Sequence, residues 1–75
     1  MNHIVSNPEV LGGKPVIAGT RISVEFVLEL FASGLSEREI LEDYPHLSVE
    51  GLRACLAYAA QSFQNEVYLK LDPAS

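Results

Sequence analysis

The chemistry open to this chain rests on a few clusters of residues. The stretch Gly12-Gly13-Lys14-Pro15-Val16-Ile17-Ala18-Gly19-Thr20-Arg21 packs three glycines, a lysine, a threonine and an arginine into ten positions. That mixture suits a loop that cradles phosphates, a loop that touches nucleic acid, or a tight piece of β structure. A phosphate-cradling loop of the form G-x-x-x-x-G-K-[ST] needs its lysine after the second glycine and a helix opening there. Here Lys14 follows Gly13, Pro15 comes next, and Val16-Ile17 reads as strand. The dinucleotide spacing G-x-G-x-x-G is absent as well. The stretch is therefore a tight β element that presents Lys14 and Arg21.

The remaining reactive side chains offer less. Cys55 falls on a mostly apolar arc beside Leu52 and Ala59, the setting of an inert buried thiol. Glu39 and Asp43 stand four apart with His46 close behind, so a weak metal site can be drawn. Scattered ligands of this kind read instead as a solvated acidic face, and no metal or cofactor is expected. Glu37, Glu39, Glu42 and Asp43 could pair as carboxylates, but no pocket-forming sequence surrounds them. Without a credible acid–base pair the chain reads as a binding protein and not an enzyme.

The elements that must position these residues fit in one domain. Seventy-five residues lie near the lower size at which a chain buries a useful core unaided. A lone cysteine excludes an intramolecular disulfide and fits a reducing cytoplasm or a chain that leans on a partner. No apolar run approaches the roughly 20 residues that span a bilayer, and the N-terminus has no signal-peptide pattern. Residues 1–65 are expected to form the domain, and residues 66–75 a partner-binding or flexible tail.

Within the first 23 residues, the short β-branched runs Ile4-Val5, Val16-Ile17 and Ile22 alternate with turn material. Val16–Ala18 and Arg21–Ser23 flank Gly19-Thr20. A type II′ hairpin turn with Gly19 at its first central position is one reading, and an irregular loop is the other. Ser23 then caps a helix from Val24 to Ser33, stopped by Gly34. Ser36-Glu37-Arg38-Glu39 is a capping box opening a short helix that Pro45 ends near Tyr44. Ser48 caps a third helix over Val49–Asn65, with Val49, Leu52, Leu56, Ala59, Ala60 and Phe63 expected on its buried face. The first helix is apolar all round except for Glu25 and Glu29, so it must be covered on more than one side. A capped helix, a short turn and a second capped helix form a helix–turn–helix layout, in which the last helix can enter a major groove. The expected fold is α+β, mainly α: a short N-terminal β element or hairpin packed on a three-helix, helix–turn–helix core.

At this point a resemblance is visible. GGKPVIAGTRISV (Gly12 to Val24) and GLSEREILEDYPHLSVEGLRACLAYAA (Gly34 to Ala60) resemble the small bacterial and archaeal family known as domain of unknown function 433. That family is similar to homeodomain-like winged proteins. Many of its members are taken to be antitoxins of the VapB kind, encoded beside a PIN-type ribonuclease. The resemblance implies a protein that binds a PIN-like toxin and represses its own operon by binding operator DNA.

Charge bears on the DNA half of that implication. The net charge is −5. Residues 1–22 carry a net +1, residues 23–43 a net −5, and residues 44–75 a net −1. DNA binding draws much of its affinity from cations on phosphate. Arg53 is the only cation on the third helix, and Glu50 at its start repels the backbone. Any DNA contact must use Lys14, Arg21 and Arg53 as a sparse strip, doubled in a dimer, with Ser48 at the helix start.

Partner contacts have better candidates. Ala54, Ala57, Tyr58 and Gln61 share one side of the third helix. Small residues around a tyrosine suit close packing against another chain, although alanine also serves simply as a good helix former. Phe26 and Leu30 add apolar surface on the first helix, and a homodimer is the expected state. Val67, Leu69 and Leu71 alternate with Tyr68, Lys70 and Asp72. This period-two pattern reads as an extended toxin-binding segment over Val67, Tyr68, Leu69 and Leu71, or as a frayed helix end. The leading expectation is an antitoxin-type module. The alternative is a helix–turn–helix scaffold that makes only protein contacts.

Overall fold

A computed structural model describes residues 3–63. The tail candidates Val67, Tyr68, Leu69 and Leu71 lie outside the described residues. The fold is a small α+β one, in which an N-terminal antiparallel hairpin packs on three helices. Strand β1 (Ile4–Val5) pairs with β2 (Val16–Ile17), with Ile4 opposite Ile17 and Val5 opposite Val16. Helices α1 (Val24–Ala32), α2 (Glu37–Asp43) and α3 (Val49–Ser62) follow.

The expected pairing of Val16–Ala18 with Arg21–Ser23 survives only as an isolated bridge between Val16 and Ser23. The main partner of β2 is β1. The turn that follows β2 also differs from type II′. The Thr20 N–H donates to the Ile17 carbonyl at 3.0 Å, so Gly19 occupies the third position of the turn. Its φ of +79° is what a type II turn asks of that position. The physical reason lies in Thr20. Its hydroxyl donates to the Ile17 carbonyl at 2.8 Å and accepts from the Ile22 N–H at 2.9 Å. The side chain thus holds a loop longer than the expected two residues, closed where the Ile17 N–H donates to the Ile22 carbonyl at 2.9 Å.

Each helix starts where a serine can accept a backbone proton. Ser23 accepts from the Phe26 N–H, Ser36 from Glu39 and Ser48 from Gly51. In α2 the Glu39 carboxylate also accepts from the Ser36 N–H at 2.8 Å, completing the capping box. At the end of α1 the Gly34 N–H donates to the Phe31 carbonyl and the Leu35 N–H to the Leu30 carbonyl. With Gly34 at φ +98°, this is a Schellman stop, a left-handed position that favours glycine. Tyr44 ends α2 in a non-helical conformation, as expected of a residue that precedes proline.

The core gathers Ile17, Val24, Val27, Ile40, Leu47, Leu52 and Cys55. Helix α3 buries a different arc from the one its apolar pattern suggests. Gly51, Leu52 and Cys55 are its buried residues, whereas Leu56 is 40% and Phe63 56% exposed and Ala60 is exposed. The reason is Gly51. A β-carbon there would stand 3.4 Å from Cγ2 of Ile17. The hairpin therefore settles against the one helical position without a side chain, which turns Leu56 and Phe63 outward. Part of the cover that α1 needs comes from within the chain. Phe26 is half-buried and meets the Tyr44 ring edge-on, at a centroid distance of 5.8 Å. Leu28, Leu30 and Phe31 pack at the margin of the core.

Candidate functional site

The face that α3 turns away from the core borders an apolar concavity. A groove of about 500 Å³ opens between α1 and the C-terminal half of α3. Pro15, Val24, Leu28 and Ala32 form one side, and Tyr58, Ala59 and Phe63 the other. The helical periods place Val24, Leu28 and Ala32 in one row down α1. Lys14, Glu25 and Glu29 also line it, giving an apolar trough with a charged rim. Tyr58 is 40% exposed and holds an aromatic ring at its edge. Such a trough can grip apolar side chains. Besides Lys14, Glu25 and Glu29 its polar groups are the Tyr58 side chain and two serines, Ser23 accepting from the Phe26 N–H and Ser62 donating to the Tyr58 carbonyl.

The three cations expected to form a DNA-facing strip lie in different neighbourhoods. Lys14 borders the groove and bonds Glu25 at 3.1 Å. Arg21 lines a second depression with Val5, Asn7, Thr20 and His46. Arg53 reaches from α3 to α2, with its Nε donating to Glu37 Oε2 at 2.9 Å and Nη2 to Oε1 at 3.2 Å. The pairing lowers the Glu37 pKa and raises that of Arg53, in both cases mainly through this hydrogen bond. Two of the three cations are thus paired with carboxylates. Ser48 is occupied in capping α3, accepting from the Gly51 N–H at 3.0 Å.

The interface candidates divide in the same way. Ala57, Tyr58 and Gln61 are exposed, and Ala54 is half-buried. Phe26 and Leu30 are half-buried and engaged inside the chain. Cys55 is fully buried, and desolvation pushes its thiol up to about 11. Among the described residues no group of three or more His, Cys, Asp or Glu gathers in a way that could hold a metal. None of their helices is long and apolar enough to cross a membrane.

Reasoning on the sequence missed the groove itself. Its walls come from the Lys14-Pro15 loop, α1 and α3, which are far apart in the chain. The available signal was Leu28 and Ala32 continuing the row from Val24, with Tyr58 and Phe63 five apart on α3.

Comparison with known proteins places this geometry. The chain is 41% identical over 56 residues to "Uncharacterized protein y4eO" of Sinorhizobium fredii, a match covering 75% of this chain and 25% of that protein. It thus spans about a quarter of the length of this curated relative. A crystal structure of a DUF433 member protein from Anabaena variabilis superposes with a TM-score of 0.79 at 34% identity. That match covers 87% of this chain and 64% of the other. The profile of the family described as "Protein of unknown function (DUF433)" matches residues 4–59, most of the described fold, and the chain belongs to that family.

Proposed function

We propose that the chain is a binding module of antitoxin type, which grips and neutralises a PIN-like ribonuclease in the cytoplasm. One observation carries this reading: the chain presents an apolar groove edged by Tyr58 and Phe63, while two of its three candidate DNA-contacting cations are tied to carboxylates. An apolar trough with an aromatic edge favours protein over nucleic acid. The segment Val67–Leu71, which follows α3 closely in sequence, adds an extended strip to the nuclease, with Val67, Leu69 and Leu71 against it and Tyr68 beside them. The acidic balance of the chain complements a basic, RNA-binding surface. Two copies associate through Ala54, Ala57 and Tyr58.

Operator binding is a secondary property in this reading. It rests on the helix–turn–helix arrangement of α2 and α3, of the homeodomain-like winged kind, with Lys14, Arg21, Ser48 and Arg53 toward the duplex.

The test is calorimetry and RNA-cleavage inhibition against the PIN-like ribonuclease encoded beside the gene. The full chain should inhibit at a fixed stoichiometry. Truncation after Asn65 should weaken binding by orders of magnitude while circular dichroism stays helical, since each buried aliphatic side chain contributes about 1.5–3 kcal/mol. Equal binding by the truncated chain would move the contact to Ala57 and Tyr58. No binding by the full chain would defeat the reading. Sedimentation at micromolar concentration should show a dimer, and a monomer there would remove Ala54, Ala57 and Tyr58 as a self-contact.

A further inference from the structure

We infer that the groove between α1 and α3 receives an amphipathic helix of a partner protein, with an apolar ridge laid along α1 and a lysine or arginine at its margin set against Glu29. The inference rests on the reading of the groove as the surface that grips a partner, and adds the form and the charge of what enters it.

Shape gives the first support. Val24, Leu28 and Ala32 stand four apart on α1 and form one ridge. From the first to the last the helix rises about 12 Å. Apolar groups spaced i, i+4 and i+7 on a second helix cover nearly the same length, about 10 Å. Across the groove, Ala59 and Phe63 stand four apart at the end of α3 and repeat the spacing. The trough thus has the ridged relief against which another helix packs.

Hydrogen bonding is the second. Both walls are helices, whose backbone groups are largely spent on their own bonds. Most polar side chains of the lining are engaged as well. Ser23 accepts from the Phe26 N–H, Ser62 donates to the Tyr58 carbonyl, and Lys14 donates to Glu25. An extended segment laid here would bury N–H and C=O groups with little to bond them. A helix arrives with its backbone bonds already made.

Charge is the third. The Glu29 carboxylate and the Tyr58 hydroxyl are the polar side-chain groups of the lining that have no partner among the described residues. Glu29 is exposed, and it lies in a stretch, residues 23–43, of net charge −5. A cation at the margin of the incoming helix complements that carboxylate, and an arginine there also suits the Tyr58 ring. The described helices of a second copy do not supply it. Its α1 holds no cation, its Arg38 lies 3.8 Å from Glu42, and its Arg53 is held by Glu37 at 2.9 Å. The fitting occupant is therefore a foreign helix.

The experiment uses the full chain and three synthetic peptides, with binding followed by fluorescence anisotropy at low salt. The first is a cross-linked helix with leucines at i, i+4 and i+7 and lysines flanking them. The second has glutamines in place of the lysines. The third is the lysine peptide with a proline in mid-sequence, which breaks the helix. The lysine helix should bind about tenfold more tightly than the glutamine helix, and the proline peptide should bind far more weakly than either. Ala32→Gln, at an exposed position of the ridge, should weaken the lysine helix several-fold at unchanged circular dichroism. Glu29→Gln should remove most of the preference for lysine, whereas Glu42→Gln, outside the groove, should leave it. A proline peptide that binds as tightly as the helix would overturn the helical form. Equal binding of the two helices, or a lysine preference that survives Glu29→Gln, would overturn the charge match. Unchanged affinity in Ala32→Gln would place the peptide elsewhere and overturn the proposal. Binding of no peptide would overturn it too, whether a second copy or the chain itself then fills the groove. If Ala32→Gln still weakened binding to the ribonuclease encoded beside the gene in that case, the groove would remain the gripping surface and only the helical occupant would be lost.

Discussion

Arg53 and Glu37, sixteen residues apart, form a two-pronged pair that fastens α3 to α2. Both partners are at the surface, with 68% of the Arg53 and 31% of the Glu37 side chain exposed. The pair therefore adds little to stability. It matters because Arg53 is the only cation on α3, so a carboxylate already occupies the group that a DNA-reading helix would use.

Removal of that carboxylate is expected to strengthen whatever DNA affinity exists. Glu37→Gln should raise duplex binding a few-fold and steepen its salt dependence by about one cation. Lys14→Glu, Arg21→Glu and Arg53→Glu should each weaken it. Fluorescence anisotropy at two salt concentrations measures both. An unchanged slope in Glu37→Gln would remove Arg53 from the list of phosphate contacts.

The same pair predicts a pH response. Arg53 holds the Glu37 carboxyl below its ordinary value. The sign follows from linkage: a depressed carboxylate contributes above its unfolded pKa, and the contribution is lost as pH falls through the folded one. The clamp should therefore persist through the ordinary carboxylate range and open only at more acid pH. A carboxyl NMR titration of Glu37, repeated in Arg53→Gln, should show the midpoint move up when the guanidinium is removed.

Gly19→Val is expected to destabilise the fold by about 1–3 kcal/mol through backbone strain alone. The position has φ +79°, yet a β-carbon there would meet nothing within 4 Å. Gly19→Asn should lose clearly less, because asparagine tolerates the left-handed region. Thermal melts of the two variants separate strain from crowding, and equal losses would refute the assignment.

Gly51 gives the opposite test. Its β-carbon would lie 3.4 Å from Ile17 and from the Ser48 hydroxyl, close to ordinary contact. Gly51→Ala should then gain up to about 1 kcal/mol from helix propensity. Gly51→Leu should lose about 1–3 kcal/mol by pushing the hairpin away. Chemical denaturation of both variants checks the sign, and a destabilised Gly51→Ala would show that Ile17 cannot shift.

Cys55 should react slowly with a thiol reagent in the native state and fast once unfolded. Burial pushes it from an ordinary 9.0 up to about 11. Its contribution is present at neutral pH and is lost as pH climbs from about 9 toward 11, because the unfolded thiol ionises first. Native reactivity at neutral pH matching that of the denatured chain would contradict the burial.

Local chemistry was the legible part of this molecule. Ser23, Ser36 and Ser48 start the helices and Gly34 stops the first, because a cap is decided within four or five residues of chain. The contacts that span the chain were not legible. The periodicity of α3 pointed to Leu56 and Phe63 as core, since a pattern of apolar side chains assigns no weight to Gly51. Register between β1 and β2 was hidden because two-residue strands carry too little alternation to select a partner. The pairing of the candidate DNA-contacting cations was hidden for a similar reason: Lys14 and Arg53 each find a carboxylate more than ten positions away. The groove needed three separated segments to be placed before it existed at all.

Strand β1 also packs against α3, which joins the first element to the last described one. During synthesis the N-terminal strand emerges well before the helix it leans on. The hairpin cannot reach its final setting until Val49–Ser62 has left the ribosome, and a release delayed at that point leaves Ile4 and Ile17 without their helical cover. The fold therefore closes only after α3 has been made. A pause or a premature stop before α3 should yield a chain with formed caps and no core, ready for proteolysis.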